Sequence, residues 1–108
     1  IDEVLESVCV GQEHEGDVRV VLFVRLREGV TLDDELRERI RRTIRQNTTP
    51  RHVPARILQV ADIPRTLSGK ITEIAVRDTI HGRPVRNTEA LANPQALDLF
   101  KNLEELAR

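Results

Sequence analysis

The stretch Asp17-Val18-Arg19-Val20-Val21-Leu22-Phe23-Val24-Arg25-Leu26 decides the fold. Successive side chains of a strand point to opposite faces, so Val18, Val20, Leu22 and Val24 share one face. Val21 and Phe23 lie on the other, between Arg19 and Arg25. A strand apolar on both faces belongs at the centre of a sheet. Upstream, Val4 to Val10 is apolar enough for a second strand, although its first residues also read as the tail of a helix. The polar run Gly11 to Asp17 contains two glycines and reads as the turn that joins the two strands in a hairpin.

Downstream, the spacing predicts a helix over Thr31–Asn47. Leu32, Leu36, Ile40 and Ile44 recur at i+4 and form its buried stripe. Thr31 is the expected cap, with Asp34 three residues on. Acidic residues crowd the first turn and Arg41, Arg42 and Arg45 the last, which suits the helix dipole. Glu35/Arg39 and Glu38/Arg42 are the expected i,i+4 pairs. Those arginines are more simply a solvated helix face than a phosphate-binding patch. Pro50 and Pro54 end the helix and force extended backbone before them. Ala55–Val60 reads as a short strand, Pro64–Lys70 as a loop, and Ile71–Ile80 as a second helix. Its inward candidates are Ile74, Ala75 and Ile80, and His81-Gly82 stops it. Arg83 to Asn93 is polar and irregular. Asn93-Pro94 opens a short helix to about Leu106, with Leu97, Phe100 and Leu103 at helical spacing. The order strand, strand, helix, strand, helix predicts an α+β fold: a small mixed sheet, a hairpin plus a further strand, packed with helices.

With 108 residues there is room for one small core. Phe23 and Phe100 are the only aromatics, so Val, Leu and Ile must build it. A formal net charge of −1 argues against a dedicated nucleic-acid binder, which needs an excess of Lys and Arg to neutralise phosphates. The lone Cys9 has no internal disulfide partner and, in an apolar run, is expected to be a buried free thiol. A reducing, cytoplasmic setting fits it. No run approaches a membrane span of about 20 apolar residues. The chain opens at Ile1 without an initiator Met or a leading loop, which suggests a fragment of a longer polypeptide.

Composition singles out one residue for chemistry. Against an abundance of arginine, lysine occurs only at Lys70 and Lys101. A lysine kept in a Ser-Gly-Lys loop is either an ordinary surface residue after a turn glycine or an ammonium aimed at a phosphate or carboxylate. The P-loop pattern fails, because its first Gly falls at Pro64 and its Ser/Thr at Ile71. His14, His52, His81 and Cys9 lack metal-ligand spacing. Asp33/Asp34 and Glu104/Glu105 are adjacent on expected helices, so the members of each pair point apart.

The stretch Pro54 to Lys70 ends in Pro64-Arg65-Thr66-Leu67-Ser68-Gly69-Lys70. It resembles the C-terminal end of acyl- and aryl-CoA synthetases of the adenylate-forming, AMP-binding superfamily, where a strand is followed by P-x-T-x-(S/N)-G-K. Val4 to Gln46 resembles the hairpin and helix of the same domain. The segments Ile71 to Val76, His81 to Val85 and Asn93 to Leu97, with a further helix after them, are similar to the acetoacetate-activating branch.

The resemblance implies a small domain over residues 1–82 and a C-terminal extension with a short helix over 83–108. It implies an acid–thiol ligase that uses ATP, Mg2+ and CoA, with acetoacetate as the small-molecule substrate. ATP is bound mostly by an N-terminal AMP-binding domain of the same chain, which is the implied partner. Lys70 is the implied catalytic residue, on a loop supported by Thr66, Ser68 and Gly69. Acetylation of Lys70 is an implied control. The fragment alone should hold no cofactor and be inactive. Lys70 should then sit exposed, without a close acidic partner. The alternatives are another acyl-CoA synthetase, a peptide-synthetase adenylation domain, and a stand-alone Arg-rich binding module.

Overall fold

The computed structural model describes residues 3–47, 53–86 and 88–106. Ile1, Pro50 and His52 lie outside the described residues. Strands β1 (Val4–His14), β2 (Asp17–Leu26) and β3 (Arg56–Gln59) form one sheet in the order β1-β2-β3, so β2 is central as its two apolar faces require. β1 pairs antiparallel with β2 from Val4↔Leu26 to His14↔Asp17. β3 runs parallel to β2, which makes the sheet mixed. Parallel pairing needs a long crossover, and α1 (Asp34–Asn47) occupies it. Hydrogen bonds from Ala55 N to Val20 O and from Val60 N to Val24 O flank β3, so the ladder nearly spans the expected Ala55–Val60.

Period-two alternation divides the core. Leu22, Val24 and Ile57 pack with Leu32, Leu36 and Ile40 of the α1 side. Val21, Phe23 and Leu58 pack on the other face with Val8, Val10 and Val76, the last from α2 (Glu73–Ile80). The tail beyond α2 contributes Phe100 and Leu106 to that same cluster.

Several local expectations are corrected. The run Gly11–His14 is strand, not turn: only Glu15 (φ 52) and Gly16 (φ 79) turn the chain, opposite His14↔Asp17. Positive φ at both central residues is the hairpin geometry that matches strand twist. Beyond the buried Gln12 the strand end reaches past the core, and Val18 opposite is 63% exposed despite its apolar pattern. Helix α1 starts at Asp34, and its cap is Asp33, whose Oδ1 accepts from Leu36 N at 2.8 Å, rather than Thr31. Its ion pairs also differ. Arg39 reaches Glu3, Arg41 pairs Glu38 at 3.6 Å, and Arg37 pairs Asp34 at 3.1 Å.

Cys9 is exposed, not buried. Its neighbours Val8 and Val10 take the core side of an edge strand, which turns Cys9 to the opposite side. Partial desolvation, then the nearby Glu73 carboxylate, still raises the pKa of its thiol. Ile74, expected inward, is 65% exposed; Ala75, Val76 and Thr79 form the buried face of α2. His81 does end the helix. Its Nδ1 lies 2.6 Å from Arg77 O, and its Nε2 accepts from Glu13 N at 2.9 Å, which ties α2 to β1.

The tail is not one helix. It runs through 3₁₀ segments Thr88–Ala90, Pro94–Phe100 and Glu104–Leu106. Asn102, at φ 54, interrupts the last two.

Candidate functional site

The Lys70 loop grows out of the core. Ile63 and Pro64 are fully buried, and from there the chain rises to the surface through Arg65 and Thr66. It reverses over Leu67-Ser68-Gly69. Thr66 N donates to Lys70 O at 2.8 Å, and Gly69 N donates to Thr66 O at 2.9 Å. Gly69 sits at φ 89, where a side chain would be strained, so glycine completes the reversal. The Thr66 and Ser68 hydroxyls share a hydrogen bond at 2.9 Å, and Lys70 N donates to Thr66 Oγ1 at 3.2 Å. Thr66, Ser68, Gly69 and Lys70 are thus brought together in one small hairpin. Immediately after it, Thr72 caps α2 by accepting from Ala75 N.

Lys70 itself is exposed. Among the described residues, no carboxylate oxygen lies within the 4.0 Å of an ion pair from its ammonium. Lys101, by contrast, pairs Asp98 at 2.9 Å. Flanking Lys70 in sequence, Leu67 (72%) and Ile74 are exposed apolar side chains.

Arg65 holds the base of the loop. Its Nη1 donates to Gly69 O at 3.2 Å, and its other terminal nitrogen pairs with Glu6 Oε1, which also accepts from Arg25 at 3.0 Å. A second anchor comes from the tail. Arg65 and Ile71 form one antiparallel bridge and Thr66 and Leu91 another, so residues 65–66 lie between the returning strand and the tail. Arg65 N donates to Asn93 Oδ1 at 2.7 Å, and Asn93 Nδ2 donates to Asp62 Oδ2 at 3.0 Å and to Ile63 O at 2.9 Å. Glu6, Arg65 and Asn93 were not among the expected site residues. Asn93-Pro94 signals a helix start, and nothing local signals a partner 28 residues away.

Other candidate chemistry is thin. Among the described residues, no group of three His, Cys, Asp or Glu side chains converges as a metal site. No helix among them is long and apolar enough to cross a membrane. A groove of about 760 Å3 between the end of α2 and the tail is lined by His81, Pro84, Leu97 and Leu103, but by no residue of the Lys70 hairpin. Two arginines of α1 are engaged with the β3 segment: Arg37 Nε donates to Ile57 O and Arg41 Nε to Pro54 O.

Comparison with known proteins gives a consistent pattern. A family model described as the AMP-binding enzyme C-terminal domain matches residues 1–70, ending on Lys70. An acetoacetyl-coenzyme A synthetase of Rhizobium meliloti (strain 1021) is 65% identical over 106 residues, covering 98% of this chain. The chain spans only 16% of that protein's length. The solved acetoacetyl-CoA synthetase from Streptomyces lividans superimposes over 100% of this chain and 16% of its own, with TM-score 0.83 and 41% identity. A Brucella canis acyl-CoA synthetase covers 72% of this chain and 15% of its own, with TM-score 0.66 and 29% identity.

Proposed function

Because this chain belongs to the AMP-binding enzyme C-terminal domain family, we propose that it is the mobile small domain of an acetoacetyl-CoA synthetase and supplies Lys70 to adenylation. The observation that carries this reading is the hairpin's presentation of an exposed ammonium, without a carboxylate partner among the described residues, at the end of the family match. The similarity to acetoacetyl-CoA synthetases extends through the tail and supports the substrate.

In the first half-reaction an acetoacetate carboxylate oxygen bonds to the α-phosphorus of ATP, and pyrophosphate leaves. In the second, the CoA sulfur bonds to the acyl carbon, AMP leaves, and the thiol proton is released. Lys70 serves the first step. Its charge holds the carboxylate against the α-phosphate and stabilises charge gathering on the phosphoryl oxygens. An ammonium on a flexible stem suits this better than a planar guanidinium. ATP fits that ammonium as an anionic ligand, but its pocket belongs to the N-terminal domain. Mg2+ would neutralise phosphate charge there, and no residue of this chain is assigned to it. The exposed Leu67 and Ile74 give the hairpin an apolar rim against that domain. The small domain then rotates and withdraws Lys70 before CoA reacts.

The test is Lys70→Ala in the full-length enzyme. Acetoacetate-dependent exchange of pyrophosphate into ATP should fall roughly 10²–10³-fold, as for loss of one preorganised charge-stabilising donor. Thioester formation from preformed acetoacetyl-adenylate should persist. Equal loss of both half-reactions would sink the assignment.

A further inference from the structure

We propose that Asn93 is a positioning residue for adenylation, the clamp through which the tail fixes the geometry of the Lys70 hairpin. The inference rests on the adenylation role given to Lys70 above and adds a residue outside the hairpin and outside the family match, which ends at Lys70.

The geometry is a lock. One carboxamide takes the Arg65 N–H at 2.7 Å and donates to both Asp62 Oδ2 and Ile63 O. Asp62 in turn accepts from Ile63 N at 2.9 Å, so the ascending chain is held at Asp62, Ile63 and Arg65. Flanking backbone bonds run from Ala92 N to Arg65 O at 2.8 Å and from Leu67 N to Ala90 O at 2.9 Å. The tail therefore lies against residues 65–67 as an added strand, and Asn93 sets its register. Across those residues the same segment pairs with the return that carries Lys70, through Thr66 N to Lys70 O.

A displacement of the tail is thus passed to Lys70 through one intervening strand. A long, exposed lysine relies on its backbone for aim. A misplacement of about 1 Å by a residue remote from the chemistry can cost on the order of 10²-fold. Asn93 touches no reacting atom; it acts by placing one that does.

The experiment uses full-length enzyme and both half-reactions. Asn93→Ala should lower the maximal rate of acetoacetate-dependent pyrophosphate exchange on the order of 10²-fold. The KM for ATP and thioester formation from preformed acetoacetyl-adenylate should stay within about twofold of the parent. Rescue separates aim from folding. Asn93→Asp sets a carboxylate against the Asp62 carboxylate and the Ile63 carbonyl and should be impaired. Combining it with Asp62→Asn reverses donor and acceptor between positions 62 and 93 and keeps the acceptor for Arg65 N–H, but leaves the Ile63 carbonyl without its donor, so it should restore part of the exchange rate.

Equal loss of both half-reactions in Asn93→Ala, or no recovery in the double variant, overturns the proposal. So does unchanged exchange. If Lys70→Ala abolishes exchange while Asn93→Ala does not, only the positioning role fails. If Lys70→Ala leaves exchange intact, the functional reading fails and takes this one with it.

Discussion

Phe23 and Phe100 meet edge to face, their ring centroids 4.7 Å apart and their planes at 73°. They are the chain's two aromatics, and both are fully buried. One stands on the central strand and the other in the tail, so the tail completes the core on the face that α1 does not cover. Phe100→Ala should destabilise the domain by about 3–5 kcal/mol, the usual cost of truncating a buried Phe. Urea denaturation followed by far-UV circular dichroism would measure it. A loss under about 1 kcal/mol would mean that the tail is dispensable to the core.

Asp33 and Thr31 make a sharper local pair. Asp33 Oδ1 accepts the Leu36 N–H at 2.8 Å, while Thr31 lies two residues too early to serve. Asp33→Ala should cost about 1 kcal/mol, and Thr31→Ala no more than about 0.5 kcal/mol. Thermal melts of the two variants, compared side by side, decide which residue caps α1.

These two relationships mark what a sequence can disclose. The alternation through Val21, Leu22, Phe23 and Val24 made β2 legible, because burial on both faces leaves no polar position. β3 was legible as a short strand from its apolar run, while Pro64–Lys70 read only as a loop, because the hydrogen bonds that close it into a hairpin leave no pattern in the sequence. Features set by partners far along the chain were hidden. Polar Gln12 looked like turn, yet it is buried because its carboxamide bonds Arg19 and the Leu106 carbonyl. Ile74 looked like core by spacing, but α2 buries the face of Val76 and Thr79 instead. Asn93 looked like a helix start, and its bond to Arg65 is a tertiary fact.

Glu3 and Arg39 provide a pH-dependent contact. The Arg39 guanidinium hydrogen-bonds the Glu3 carboxylate and, against some desolvation, holds its pKa below the ordinary 4.5. A depressed folded-state pKa contributes stability above the unfolded value, and that contribution is lost as pH falls through the folded value. The link between β1 and α1 should therefore weaken below about pH 4.5 and not on alkalinisation. In Arg39→Gln, the carboxyl titration of Glu3 followed by NMR should move upward. An unmoved midpoint would show that Arg39 is not the cause.

Lys70 permits a separation of charge from fold. Among the described residues its ammonium has no carboxylate partner, so removing its charge breaks no ion pair. Lys70→Gln, and Lys70 acetylated through a genetically encoded acetyl-lysine, should both keep the parent melting temperature within about 1 °C, since surface changes away from packing or pairing stay within about 0.5 kcal/mol. Both should lose acetoacetate-dependent pyrophosphate exchange, because acetylation deletes the cation that the phosphoryl step requires. Lys70→Arg keeps the charge but replaces a point cation with a rigid fork, and should recover only part of the rate. Deacetylation should return the full rate. A variant that melts early yet still exchanges pyrophosphate would reverse the argument, making Lys70 a structural residue and the hairpin a turn without a catalytic task.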